Sequence, residues 1–426
     1  MLNCNFDRPR LAGAIPGILV PMVFAAALGS HCLADEFLWP GWLGQNRDGW
    51  VAQFEPPKVW PESLKQVWKI EIGEGYASPL VRGDQIFVHS RVGEDELLTC
   101  LKLSDGELVW QSPFEVPFKV GGGGEWHGKG PKAAPILADE QIFTMSSNGV
   151  LRGWNAETGA ELWTYDPSDE FEGRKTPYWG ACSSPVVSGD KVIVHFGNDK
   201  QGFLAAIDSN SGKEIWRNGT AGASYSSPLT TEIEGTSQVV EWDHEGVTGV
   251  DLETGKTLWF HEFRHEGTNQ NMPTPSVFEG KILVGGENRG LRCIEPKRAE
   301  GAWTVEELWN TREVALNMST AVMNGSLLYG HSHLQSGRLF CLDSGTGEVL
   351  WKGKPRTGEY VNFLSMADHV AALLDNGEMR IIKATGGSYE PVATYQVSEA
   401  PTWAPPVFLP DGVLIKDRNA LIRLSF

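Results

Sequence analysis

The chain has 426 residues, 41% hydrophobic and 21% charged, with 36 Lys and Arg against 54 Asp and Glu for a net charge of −18. That apolar fraction excludes extended disorder, and the lack of a Gly-X-Y period excludes collagen. The acidic balance repels phosphate backbones and argues against nucleic acid as a partner.

Taken in chain order, residues 1–34 read as a secretory signal. Arg8 and Arg10 give a positive start, 11–28 is an apolar run broken by Pro16 and Pro21, and Leu33-Ala34 offers a small-residue cleavage site before Asp35. The run is at the short limit for a membrane span, and no later stretch reaches that length. Export to the periplasm or the extracellular space is therefore expected, with no transmembrane segment after cleavage. His31 stands where a lipobox requires a small residue, which disfavours lipidation at Cys32. Residues 35–65 hold Trp39, Trp42, Trp50, Phe54 and Trp60 among prolines. Too apolar to float free and too irregular for a sheet, this stretch is predicted to be an extended strap docked by its aromatics.

From residue 66 to 426 the chain repeats. Asp105-Gly106, Thr158-Gly159, Ser211-Gly212, Thr254-Gly255 and Thr346-Gly347 are each followed, four positions after the glycine, by a tryptophan: Trp110, Trp163, Trp216, Trp259 and Trp351. Four positions before the glycine stands Asn155, Asp208, Asp251 or Asp343, with Lys102 in the first copy. An Asx side chain bonds its own downstream amides and glycine accepts a left-handed backbone, so the segment predicts a hairpin turn leading into a tryptophan-bearing strand. Between tryptophans, Ser78-Pro79, Ala134-Pro135, Ser184-Pro185, Ser227-Pro228, Thr274-Pro275 and Pro405-Pro406 open apolar strands. A proline there sacrifices no ladder bond if its side of the strand faces open space, as on the innermost strand of a propeller blade. Trp68, Trp110, Trp163, Trp216, Trp259, Trp309 and Trp351, with Tyr395 as substitute, recur every 42 to 53 residues. Seven intervals give seven four-stranded units. Pairing strand 66–72 with three C-terminal strands adds an eighth and leaves no free edge. The expected fold is all-β, an eight-bladed propeller of antiparallel blades.

The Ser-Pro strand followed by Asp-x-x-Thr-Gly-x-x-x-Trp resembles the pyrroloquinoline-quinone (PQQ)-type propeller repeat. Quinoprotein dehydrogenases and BamB-like barrel-assembly proteins share that repeat. Trp39-Pro40-Gly41-Trp42 and Gln45-Asn46-Arg47-Asp48-Gly49 look like the leader of exported PQQ-like propellers. Fold follows from such a likeness far better than function. In the dehydrogenases the resemblance implies two adjacent cysteines over the quinone, a calcium held by carboxylates and amides, and a catalytic Asp. No Cys-Cys pair occurs here, and no Asp/Asn-dense loop offers calcium its six to eight oxygens. The expectation is a non-enzymatic binding or scaffold propeller, monomeric, with no cofactor, catalytic residue or metal predicted and a cell-envelope protein or small molecule as partner. A PQQ-dependent oxidoreductase and a small-molecule sensor are the alternatives.

Two further patterns read as structure. Gly123 to Gly130 almost spells a phosphate loop, but Gly130 replaces the Ser/Thr and Pro131 blocks the following helix, so a flexible inter-blade loop is expected. His331-Ser332-His333 has the spacing of a metal pair without a third ligand and reads as a solvated turn. Cys100, Cys293 and Cys341 occupy the position of Gly153, Ala206 and Gly249, Cys293 in a copy taken as shorter. With Cys182 they are expected to be free and mostly buried thiols.

The loops from each tryptophan to the next inner proline span 25 residues for Trp110–Pro135 and 22 for Trp163–Pro185, against 11 to 16 in the other copies measured. Insertions on one face mark a binding face. One long loop carries Trp126, His127, Lys129 and Lys132; the other carries Arg174, Lys175, Tyr178 and Trp179. Tyr76, Tyr225, Asn269, Asn271, Asn317, Tyr360, Asn362 and Trp403 are expected around the same channel mouth.

Overall fold

The Asx-x-x-Thr/Ser-Gly segments close hairpins as their chemistry dictates. In the computed structural model, which describes residues 36–267 and 271–426, Asp208 Oδ1 accepts the Ser211 amide at 2.7 Å and its hydroxyl at 2.6 Å. Asp251 serves Thr254, Asp343 serves Thr346 and Asn155 serves Thr158 in the same way.

Eight sheets form the ring. Blades 1 to 7 span residues 80–115, 136–165, 186–218, 229–262, 276–311, 322–352 and 361–396, each running from an inner to an outer strand. Blade 8 takes Val407–Leu409, Gly412–Lys416 and Ala420–Ser425 from one end of the chain and Lys65–Glu71 from the other. The repeat tryptophans all lie on outer strands, and six of them stand opposite a small residue: Trp110 faces Cys100, Trp163 Gly153, Trp216 Ala206, Trp259 Gly249, Trp309 Cys293 and Trp351 Cys341, while Trp68 faces Arg423. Most of these indoles donate to the next blade, whereas Trp110 Nε1 has no partner among the described residues. Trp163 Nε1 donates to the Ser209 carbonyl at 2.8 Å, Trp216 to Leu252 at 3.1 Å and Trp309 to Ser344 at 2.9 Å. Burying an indole removes about 150–250 Å² from water, and the hydrogen bond adds about 1 kcal/mol. Burial therefore drives the stacking of blades and the bond fixes its direction.

Blade 5 departs from the sequence reading. Its outer hairpin is longer, not shorter: Gly290–Ala299 and Ala302–Thr311 pair along ten residues each, and no Asx turn cuts them short. Cys293 still pairs with Trp309. Trp259 in the preceding blade, with no such turn to reach, donates to Gln238 in its own blade at 2.7 Å. The four cysteines of the described residues are free, three buried and Cys182 half-buried.

Residues 38–51 lie along the inner strands, and Trp60 and Pro61 reach the second and outermost strands of blade 7 at His369 and Tyr395. Leu38–Trp39 adds a fifth strand to blade 1 against Val81 and Arg82, the end of that strand remote from Pro79. Pro40 accepts from Leu137 of blade 2, and the Arg47 guanidinium donates to the Ser184 and Pro185 carbonyls of blade 3 at 3.0 and 2.6 Å. Gly49 and Val51 bond Ser365 of blade 7. Trp39 and Phe54 are buried, Phe54 edge-on to Phe408, and Trp60 packs on His369 and Phe426, while Trp50 stays exposed. Residues 1–34, read as a signal, lie outside the described residues. Among the described residues no helix is long and apolar enough to cross a membrane.

Candidate functional site: a well at the channel mouth

The inner prolines create the first feature of the site. At four of the proline steps the amide just before the proline has no strand to pair with, and a hydroxyl from the next blade takes it. Ala134 N–H donates to Ser184 Oγ at 2.9 Å, Ser184 to Ser227 at 2.9 Å, Ser227 to Thr274 at 3.0 Å, and Thr274 to Thr320 at 3.0 Å. This belt runs through blades 3 to 6. Sequence reading missed it, although the Ser or Thr preceding the proline was its signal.

Opposite the belt stands an aromatic wall. Tyr360 stacks on Trp403 with ring centroids 4.8 Å apart, Trp403 meets His127 edge-on at 4.6 Å, and His127 stacks on Tyr76 at 4.9 Å. Trp179 joins edge-on to His127, and Trp126, 62% exposed, sits on the rim against both. Between belt and wall lies a cavity of about 360 Å³, with Trp42 and Cys182 also lining it. Tyr225 accepts the Trp179 amide at 3.0 Å, and Lys132 donates to the Trp179 carbonyl at 3.2 Å. Eight of the predicted mouth residues thus share one cavity: Tyr76, Trp126, His127, Lys132, Trp179, Tyr225, Tyr360 and Trp403.

The others sit around it. Lys129 pairs with Glu94 at 3.0 Å. Arg174 lies over the Tyr178 ring and donates to the Tyr178 carbonyl, and the Tyr178 hydroxyl donates to Gly122. Lys175 donates to Phe171. Asn271 is fully buried, its amide donating to the Asp243 carbonyl and its Oδ1 accepting from Arg289. Asn362 accepts from the Tyr360 hydroxyl at 2.8 Å, and Asn317 is half-buried near Met318. Asn269 lies outside the described residues.

Two expectations are corrected here. The Gly123–Gly130 segment is not a loose loop. Glu125–His127 forms a 3-10 turn, and any Cβ at Gly121 or Gly124 would collide with the Tyr178 or Trp179 ring, so glycine lets one long loop lie directly on the other. His331 is not solvated either. It is buried on Leu327–Ser332, and burial pushes its imidazole down to about 4; His333 bonds Ala315 and Asn288.

Burial sets the charge state of the well. His127 is pushed down to about 3, with Lys132 and Arg418 adding to the effect, so its ring is neutral. Burial raises Tyr76 to about 12 and Cys182 to about 11, Lys132 pulling the thiol the other way. Desolvation also lowers Lys132. Among the described residues Glu359 is the one carboxylate lining the cavity. Among the described residues no three His, Cys, Asp or Glu converge as a metal site. This donor set does not fit a calcium-held quinone, which needs clustered carboxylates.

A family model described as outer membrane protein assembly factor BamB matches residues 94–353. The chain belongs to this PQQ-like, BamB-type propeller family. It is 26% identical over 246 residues to the BamB of Shewanella oneidensis, covering 48% of this chain and 57% of that protein. It is 30% identical over 272 residues to a quinohemoprotein alcohol dehydrogenase of Comamonas testosteroni, covering 57% of this chain and 36% of the enzyme. The chain spans 57 to 64% of the length of the first curated BamB relatives it matches. Among solved structures, BamB from Moraxella catarrhalis aligns with a TM-score of 0.62 at 17% identity, covering 85% of this chain and 98% of that one. The Comamonas dehydrogenase aligns at 0.66 and 12%, covering 91% and 80%. These structural likenesses carry the fold.

Proposed function

We propose that this propeller is an exported, non-enzymatic binding protein that captures a cell-envelope partner with its channel-mouth face. The observation that carries the reading is the rim itself. Trp126 stands exposed on Trp179 and His127, above a cavity whose walls are aromatic rather than acidic. Exposed aromatics backed by a rigid ring are the usual anchors of protein interfaces. Sequence kinship to proteins named outer membrane protein assembly factors supports the same reading. Replacing Trp126, His127, Tyr178 and Trp179 together with alanine should abolish capture from a cell-envelope fraction while the variant still folds. Retained capture by the folded variant would remove this face from consideration.

A quinone-dependent oxidoreductase is the second reading, favoured by the 30% identity to the Comamonas enzyme. Dye-linked alcohol oxidation after loading with PQQ and calcium would support it. Loaded protein that leaves the dye unreduced supports the binding role.

A further inference from the structure

The well is rich in donors, and its one carboxylate among the described residues, Glu359, is solvent-exposed. Each belt hydroxyl spends a lone pair on a backbone amide, which leaves its O–H to point elsewhere: Ser184, Ser227, Thr274 and Thr320 all line the cavity, and among the described residues none of these O–H groups has an acceptor. Tyr225 likewise accepts an amide and keeps its proton. Lys132 adds an ammonium. Its one hydrogen bond goes to a neutral carbonyl, and among the described residues no carboxylate lies within salt-bridge distance. Glu74 is engaged by Arg418 at 3.1 Å and Glu96 by His89 at 2.9 Å. A desolvated cation without a counter-charge is costly, and a bound anion is the direct remedy. Across from these donors the Tyr360–Trp403 stack and Tyr76 offer flat apolar faces.

We infer that the well binds a small planar aromatic carboxylate without any metal, its ring against the Tyr360–Trp403 wall and its carboxylate on Lys132 and the hydroxyl belt. The inference rests on the reading of the mouth as the binding face and goes further by naming a ligand class. A cavity of about 360 Å³ suits one or two fused rings.

The test titrates the full chain, by calorimetry and tryptophan fluorescence, with indole-3-carboxylate and its neutral isostere indole-3-carboxamide. The carboxylate should saturate one site, with the carboxamide at least about tenfold weaker. Lys132→Met should bring the carboxylate down to the carboxamide's affinity, and EDTA should change nothing. The ligand pair needs no variant, so a misfolded Lys132→Met leaves the comparison intact. Equal affinity for the two ligands, no saturation by about 1 mM, or binding that requires calcium would each overturn the inference. Envelope capture through Trp126 is read separately, so loss of one result does not erase the other.

Discussion

The six-membered edge of the Trp163 indole lies where a side chain on Gly212 would begin. A Cβ at Gly212 would fall 2.7–2.8 Å from three ring carbons, and Gly212 holds φ at 68°. Gly255 meets Trp216 and Gly347 meets Trp309 in the same way, so the turn glycine of one blade is the seat for the tryptophan of the blade before. Left-handed backbone costs a non-glycine residue about 1–2 kcal/mol and overpacking about 1–3 kcal/mol more. Gly212→Ala should therefore destabilise by about 2–5 kcal/mol in denaturant unfolding. Gly219→Ala is the control: φ is 79°, yet nothing lies within 4 Å of its Cβ. It should lose only the backbone part. Equal losses at both positions would show that the tryptophan seat contributes nothing.

That relationship also explains what was legible in the sequence. Tryptophan, turn glycine and the small residue opposite are fixed by one contact repeated between blades, so their spacing revealed the fold, the blade count and the buried cysteines. Blade 5 escaped because Cys293 and Trp309 keep their pairing while the hairpin between them lengthens, which spacing alone cannot register. At the mouth, Trp126, His127 and Trp179 were legible because loop length and aromatic content travel together in sequence, and Tyr225 and Trp403 because they shortly precede a proline step. Asn271 stands behind the mouth, its carbonyl holding the Tyr225 and Ser226 amides and its side chain buried against Asp243 and Arg289, an orientation only tertiary contacts reveal. Trp42 and Thr320 were missed for the same reason: one arrives from residues far outside the repeat, and the other stands in a copy without the proline step.

Ring closure hangs partly on Lys416. Its ammonium is buried and donates to the carbonyls of Gly73, Gly75, Asp417 and Arg418 at 2.7–3.2 Å, tying blade 8 to the segment that leads from the closing strand into blade 1. Lys416→Met keeps the stem but leaves the Gly73, Gly75 and Asp417 carbonyls unmatched, while Arg418 keeps the Gly75 amide. A loss of about 3 kcal/mol or more is expected. Hydrogen exchange should rise first in Lys65–Glu71, and uniform exchange across all blades would count against a local closure role.

Blades 3 and 4 meet at a titrating joint. His195 Nδ1 lies 2.7 Å from Glu241, with Asp243 beyond. Burial lowers the His195 imidazole, but Glu241 and Asp243 outweigh it and hold it above its ordinary value. Burial, with Glu241 adding, raises Asp243 to about 6. Both folded values exceed the unfolded ones, about 6.5 for His and about 3.9 for Asp. Each group's stabilisation is therefore complete below its unfolded pKa and lost as pH rises through its folded value. Stability should fall from pH 5 to 8, Asp243 acting between about 4 and 6 and His195 above 6.5. Asp243→Asn should flatten the lower part of a Tm-against-pH curve and His195→Gln the upper part. A wild-type Tm that climbs over this range would refute the assignment.

The channel end remote from the mouth is held by Arg47. Its guanidinium is buried over the Trp42 ring and donates to two consecutive carbonyls of blade 3, at Ser184 and Pro185. Burial lowers its pKa to about 9, which still leaves it a cation at neutral pH, its charge met by those two carbonyls. Ser184 is also the belt residue that accepts from Ala134, so Arg47 grips the well from beneath. Arg47→Met should strand both carbonyls and cost about 1–3 kcal/mol. It should also loosen Trp42, raising the accessibility of Cys182 in the same cavity to a thiol reagent in the folded protein. Deleting residues 37–64 should lower the melting temperature further, because Trp39, Phe54 and Trp60 leave with the segment. If Arg47→Met lowers stability while Cys182 stays as slow to react as in the parent, the segment anchors the propeller without shaping the well.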